Sequence, residues 1–445
     1  MNRAVGAREL SKVIAAAAAG TIVEWYDFFV FGSLATILAR HFYPPESELA
    51  FLSTLATFAV GFVVRPLGAL VFGRLGDVVG RKYAFLLTLL IMGGGTALIG
   101  LVPSYEKVGA FAPIVLLLLR LVQGLAIGGE YGGAVIYVAE HAPDGRRGRY
   151  ASFIQITATA GLLASLGAIL ATRQLLGDAA FERWGWRLPF FASVLLVGLS
   201  LWIRVRMRES PLFERLKSSG KTSRSPVLES LRDRRNLKVM LTALLAVTMG
   251  QGAIWYASHF TAYYLLLNTL DLGLIETSKV FCPALALAAP CFVLFGALSD
   301  RLGRRRVMWT GLVLALLTWI PIYRGILHAA ANHERALLSA LLFAQLFVAT
   351  MVNGPIPALL VELFPTRIRY TSLSLPYHIG NGVIGGLTPL ISTLLTKRTG
   401  EPLAALWFPL AIAVATLVIG LFVLPETRHI ALWNEEDAGE PPRAA

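Results

Sequence analysis

An all-α membrane protein, with twelve transmembrane helices in two six-helix bundles, is the fold this sequence predicts, and three observations predict it. Hydrophobic residues fill 56% of the 445 positions and charged residues only 15%, too apolar a balance for a soluble chain of this length. Apolar stretches of about 20 residues, enough to cross a bilayer, recur twelve times. Two unrelated charged motifs recur in a single register in the two halves of the chain.

The first stretch, 12–38, follows Arg3, Arg8 and Lys12 and runs on past any small-residue cleavage site, so it reads as an uncleaved helix and not a signal peptide. It contains GTIVEWYDFFVFG (20–32), which places Glu24 and Asp27 inside the membrane three positions apart, and therefore on one helix face. The second, 49–72, carries Arg65 before Pro66. The third is 83–102. The fourth, 111–138, holds Arg120, Gln123, Ile127, Glu130 and Tyr131 along one stripe. The fifth and sixth are 151–172 and 188–204. The seventh, 239–265, brings Gln251, Tyr256 and His259. The eighth, 276–299, contains both cysteines, Cys282 and Cys291, which fall on opposite helix faces about 13 Å apart and cannot bridge. The ninth is 307–326. The tenth, 335–361, holds Asn353 and a kink signal in Pro355 and Pro357. The eleventh, 371–395, carries Pro376, Tyr377, His378 and Asn381, and the twelfth is 402–424.

Basic residues set the orientation. With cytoplasmic N- and C-termini, 28 of the 40 Lys and Arg fall in loops on the inner side. The net charge of +13 is thereby explained without nucleic acid. Residues 206–238 read as a basic cytoplasmic linker between bundles 1–205 and 239–430, with a cytoplasmic tail at 431–445.

GRLGDVVGRK (73–82) recurs as GALSDRLGRR (296–305), so Gly73, Asp77, Gly80 and Arg81 return as Gly296, Asp300, Gly303 and Arg304. Glu140, Pro143 and Arg149 return as Glu362, Pro365 and Arg369. In each loop the Asp is expected to face a helix N-terminus and the Arg to meet an acid such as Glu140 or Glu362, forming a cytoplasmic gate latch. The alternative is a set of turn residues and topology-setting charges.

These loops resemble the signature of the major facilitator superfamily. VEWYDFFVFG, RPLGALVFGRLGDVVGRK, RLVQGLAIGGEYGGA, VAEHAP, GWRLPFF, RESPLFE and ELFPTRIRYTS resemble, more narrowly, its metabolite:proton symporters, carriers of shikimate, 2-oxoglutarate, citrate and proline or betaine. The resemblance spans about 12–430. It implies an Asp27–Arg120 pair that links proton and substrate loading; a buried structural ion pair is the alternative.

The expected proton-coupling residues are Asp27, Glu24 and Glu130. The expected substrate contacts are Arg120, Gln123, Tyr26, Tyr131, Tyr256, His259, Asn353, Tyr377, His378 and Asn381. The gate set is Gly73, Asp77, Arg81, Glu140, Asp300, Arg304, Glu362 and Arg369. GGEYGG (128–133) is not a phosphate loop, since it lies mid-helix without the Lys-Ser/Thr ending. Without a nucleophile, metal cluster or phosphate loop, an enzyme is not expected, nor a cofactor or metal. The sequence thus predicts a proton-coupled symporter of a small organic acid in the bacterial plasma membrane, monomeric, in contact with lipid, substrate and protons. A carrier of zwitterions such as proline or betaine, and a non-transporting sensor, are the competing expectations.

Overall fold

The computed structural model describes residues 7–44, 46–79, 81–205 and 226–432. Among the described residues eleven helices are long and apolar enough to cross a membrane and a twelfth, α3, has a shorter apolar stretch: α1 (Ala7–Ser33), α2 (Ala50–Leu75), α3 (Arg81–Leu101), α4 (Phe111–His141), α5 (Arg147–Leu176), α6 (Gly185–Ile203), α7 (Arg234–Thr269), α8 (Gly273–Leu302), α9 (Arg304–Ala331), α10 (Arg335–Leu363), α11 (Arg369–Thr399) and α12 (Pro402–Val423). There is no strand among the described residues. Polarity runs inside out relative to a soluble protein: Leu195 and Phe422 are 78% and 84% exposed, while Asp27, Arg65 and Arg120 are fully buried.

Local sequence explains where the helices start and break. α7 begins at Arg234, inside the stretch expected as linker, because the Asp233 side chain accepts the Arg235 amide at 2.9 Å and caps the helix. Of that linker, 226–232 forms a short helix and 206–225 lies outside the described residues. α2 is interrupted at Val64, before Arg65 and Pro66. α10 is interrupted at Gly354 and Pro355. Pro357 has no N–H to give the Asn353 carbonyl, and that carbonyl accepts instead from Gln155 Nε2 on α5 at 3.0 Å. α4 breaks over 128–130. Single π-helical stretches occupy 244–248, 257–261 and 265–269 of α7 and 378–385 of α11, a geometry frequent at functional sites.

Glycine brings α2 and α4 into contact. A Cβ on Gly68 would lie 2.0 Å from the Leu125 carbonyl oxygen, and one on Gly124 2.0 Å from that of Gly61, so no larger residue permits this crossing. Both cysteines are free.

Candidate transport site

The space between the two halves is closed at both ends. At the end carrying the repeated loops, Asp300 accepts the backbone amides of Gly148 and Arg149 at 2.8 and 2.9 Å. These are unsatisfied donors in the first turn of α5, where the helix dipole also favours a carboxylate. Arg304 reaches Asp300 at 2.6 Å and Glu362 at 3.0 Å. Glu362 receives Arg147 from the other half at 2.9 Å, and Arg369 donates to Glu140 across the halves at 3.2 Å. The two cross-half pairs are repeat mates, since 369 − 147 and 362 − 140 both equal 222. Arg147, not Arg149, is therefore the counterpart of Arg369; Arg149 gives Asp300 its backbone amide. Gly73 lies against Thr371 and Tyr370 on α11. The side chains of Asp77 and Arg81, and all of Gly80, lie outside the described residues.

These ions are buried, so removing one partner strands a charge at a cost of about 3–5 kcal/mol while the ends stay closed. If this cluster is a gate latch that acts on the balance of conformations, Asp300→Asn is expected to slow net transport at least tenfold in proteoliposomes and to leave the equilibrium Kd for cargo within about threefold. Loss of binding in folded protein would count against a latch.

At the opposite end Tyr263 and Tyr264 on α7 donate to the Ser33 and Gly32 carbonyls of α1 at 3.1 and 2.8 Å. Thr159 meets His259 at 3.2 Å, and the Phe58 and Phe260 rings lie 5.3 Å apart. Between these closures is a small pocket lined by the rings of Trp25, Tyr131, Trp255, Tyr256 and Tyr377 and by Gln155, Gln251 and Asn381. About 10 Å³ of it is open to water, room for roughly one molecule. Its amides bond to one another: Asn381 donates to Gln251 at 3.1 Å and Gln251 to Asn353 at 2.6 Å. Tyr131 and Tyr377 stack across the halves at 3.6 Å. A second pocket, packed too tightly in this conformation to admit a water molecule, shares Trp25 and Tyr131 with the first and adds Glu24, Arg65, Glu130 and His378.

The residues expected on single helix faces separate here. Glu24 lines the second pocket, but Asp27 turns toward α3 and α6, where Oδ2 would lie 3.4 Å from a Cβ on Gly93 and the Ser193 hydroxyl neighbours it. Positions three apart differ by about 60° in direction, enough to choose different neighbours. Neither Asp27 oxygen makes a hydrogen bond. The Asp27–Arg120 ion pair is not formed. Arg120 bonds to Gln123 at 2.9 Å, and its Cζ lies 3.9, 4.5 and 5.1 Å from the ring centroids of Phe28, Phe31 and Phe58. Gln123 in turn donates to Thr96 at 2.7 Å, and neither Arg120 nor Gln123 lines either of these two pockets, whereas Ile127, Glu130 and Tyr131 of the same stripe line the second. Tyr26 is also turned away, donating to the Pro189 carbonyl at 2.6 Å. His259 is occupied by Thr159, Ser258 and the Trp255 carbonyl. His378 has both ring nitrogens buried without a hydrogen bond and lines the second pocket.

Arg65 is the cation the pocket presents. It is fully buried, none of its three nitrogens is hydrogen-bonded, and Tyr256 lies near without completing a bond. Its Cζ lies 4.2 Å from the Phe62 centroid, and Gly382 on α11 leaves room for its chain, 3.2 Å from where a Cβ would be. The sequence-based site omitted Trp25, Trp255 and Gln155. A signal existed: tryptophan favours the membrane interface, and two of them here fall mid-span.

Comparison with known proteins decides the family. A family model described as sugar (and other) transporter matches residues 12–243, and one described as major facilitator superfamily matches 280–444. The inner membrane metabolite transport protein YhjE of Escherichia coli K12 is 35% identical over 95% of this chain and 96% of its own. The chain belongs to the major facilitator superfamily. Other facilitators similar to it are a citrate-proton symporter of Salmonella typhi, 34% identical over 94% and 95% of the two chains, and the glycine betaine/proline/ectoine/pipecolic acid transporter OusA of Dickeya dadantii, 34% identical over 93% and 83%. A D-xylose-proton symporter crystal structure has the same facilitator fold, with a TM-score of 0.69 over 94% of this chain and 99% of that one, at 21% identity. The protein is thus a multi-pass facilitator of the bacterial inner membrane and a transporter of metabolites, not an enzyme.

Proposed function

We propose that this transporter is a proton-coupled symporter of a small carboxylate-bearing metabolite, with Asp27 as the proton site and Arg65 as the anchor for the carboxylate. Arg65 carries this reading. Its guanidinium offers five N–H donors in a fork that matches a carboxylate, inside a water-poor pocket between the moving halves, with no hydrogen-bond partner of its own. Similar proteins described as a citrate-proton symporter and a shikimate transporter support a carboxylate cargo. The five pocket rings favour a second reading, since aromatic faces also hold a quaternary ammonium, as in a betaine. Both cargoes share the carboxylate. The excess of basic residues at the repeated-loop end supports a cytoplasmic side for that end and both termini, with 1–205 rocking against 239–430 about the linker 206–238.

The test is a thermal-shift screen of the purified protein against organic acids and betaines at two pH values. A cargo at about 100 times its Kd adds roughly 2.7 kcal/mol of stability, an upward shift easily read. The reading expects the shift to depend on pH and to vanish in Arg65→Met. Stabilisation by a carboxylate that Arg65→Met leaves intact would overturn it.

Charge balance sets the coupling. About 100 mV of membrane potential contributes roughly 2.3 kcal/mol per net charge moved. A pH unit contributes about 1.36 kcal/mol per proton. A monoanion entering with one proton moves no net charge, so only the pH gradient acts and accumulation is limited to about tenfold per unit. Uptake of a monocarboxylate is therefore expected to give no sustained current on a solid-supported membrane. An inward positive current would require a second proton, with Glu24 as its carrier in the pocket.

A further inference from the structure

Two buried guanidiniums of like charge share one phenyl ring. The Cζ atoms of Arg65 and Arg120 lie 4.7 and 3.9 Å from the Phe28 centroid. Five of their six nitrogens make no hydrogen bond, and the sixth, Arg120 Nη1, donates to Gln123 Oε1 at 2.9 Å. Contact then continues: Gln123 Nε2 donates to Thr96 Oγ1 at 2.7 Å, and Thr96 approaches the Asp27 carbonyl at 3.4 Å. Arg120 Nη1 also approaches the carbonyl of Phe28, the residue after Asp27, at 3.5 Å. An unbroken path therefore joins the pocket cation to the backbone of Asp27, although Asp27 and Arg120 do not pair.

We propose that Phe28, with Gln123 and Thr96 as positioning residues, is the relay that couples occupancy of Arg65 to protonation of Asp27. This rests on the symport reading and deepens it. A carboxylate arriving at Arg65 draws that guanidinium off the ring face. Phe28 is then held by Arg120 alone, since the attraction of a cation for a ring face is shared between two cations before and not after. Arg120 is fixed more firmly away from Asp27, and the positive potential around Asp27 falls. Both changes favour the protonated carboxyl, so cargo raises proton affinity and, by linkage, the proton raises cargo affinity. That is the sign a symporter needs.

The groups around Asp27 keep the relay identifiable. Its own helix contributes Tyr26 and Glu24, and α4 contributes Arg120, Glu130 and Tyr131. Between their ends α3, α5 and α6 bring uncharged groups, among them Thr96, Ser165 and Ser193. No cation is paired with Asp27 among the described residues.

The test needs no cargo, because Arg65→Met mimics a neutralised Arg65. The carboxyl stretch of Asp27, identified by its loss in Asp27→Asn, is titrated by infrared difference spectroscopy of the full chain in nanodiscs. Arg65→Met is expected to raise the proton affinity of Asp27 at least tenfold, about one pH unit. In a Phe28→Leu or Gln123→Leu background the same change is expected to move it less than about threefold, the non-additivity of coupled sites. Phe28→Tyr, which keeps the ring face, is expected to restore the full shift, and Thr96→Val serves as a third background where either leucine variant fails to fold. A full tenfold shift in the Phe28→Leu background would mean a field acting through space and would overturn the relay alone. An Asp27 that does not titrate in the wild-type protein would overturn the symport reading, and the relay with it.

Discussion

Arg65→Met is expected to abolish cargo binding, raising Kd by a factor of about thirty to several thousand. The range follows from the loss of a buried charge-assisted pair, about 2–5 kcal/mol, or tenfold per 1.4 kcal/mol. Methionine keeps the unbranched length and the contact with Phe62 and Trp25, whose centroids lie 4.2 and 5.2 Å from the guanidinium carbon. The same substitution removes a buried cation without a hydrogen bond, so the empty protein is expected to melt no lower than the wild type. An inactive variant that is as stable as its parent is the mark of a residue kept for cargo. Arg120→Met supplies the contrast, as Arg120 lies behind the rings of Phe28, Phe31 and Phe58: its Kd for cargo is expected to change only through the linkage with Asp27, by far less than in Arg65→Met. Isothermal titration on both variants decides between the two arginines, and a reversed order would return the anchor to α4.

Asp27→Asn is expected to end uphill accumulation while leaving counterflow exchange. The amide fits beside Gly93 and Ser193 but releases no proton at physiological pH. Accumulation in proteoliposomes with a pH gradient should fall from about tenfold per unit to the equilibrium ratio of one, and preloaded cargo should still exchange at a rate within about tenfold of wild type. Continued uphill uptake would move the proton to Glu24 or Glu130. Loss of exchange in folded protein would make Asp27 a packing residue.

The fold was legible because its signals are long and redundant. Twelve apolar spans, a one-sided distribution of Lys and Arg and two repeats in register each depend on many residues, so no single neighbour can mislead. The ion cluster at the repeated loops was legible for a related reason: Asp300, Arg304 and Glu362 join opposite charges that recur in both halves. The one misalignment, Arg149 for Arg147, came from counting along GRRGR, where the choice of arginine depends on which side chain faces the partner bundle. The interior of the site was less legible. Helical periodicity says which residues point the same way to within about 60°, and that was too coarse to separate Glu24 from Asp27. It says nothing of which helix stands opposite. Arg120 was therefore assigned a carboxylate where the structure gives it three phenylalanines, and Arg65, beside a proline, stayed outside the expected substrate contacts although Pro66 marks the break in α2 from which it enters the pocket.

The pocket between the two closures is nearly dry: about 10 Å³ of it admits water, room for roughly one molecule. A cargo larger than a water molecule therefore enters only as the Tyr131 and Tyr377 rings, stacked at 3.6 Å, part. Opening the site and hydrating it are then one step, so solutes too large to enter it are expected to favour the shut form, read in proteoliposomes as turnover that falls as their concentration rises.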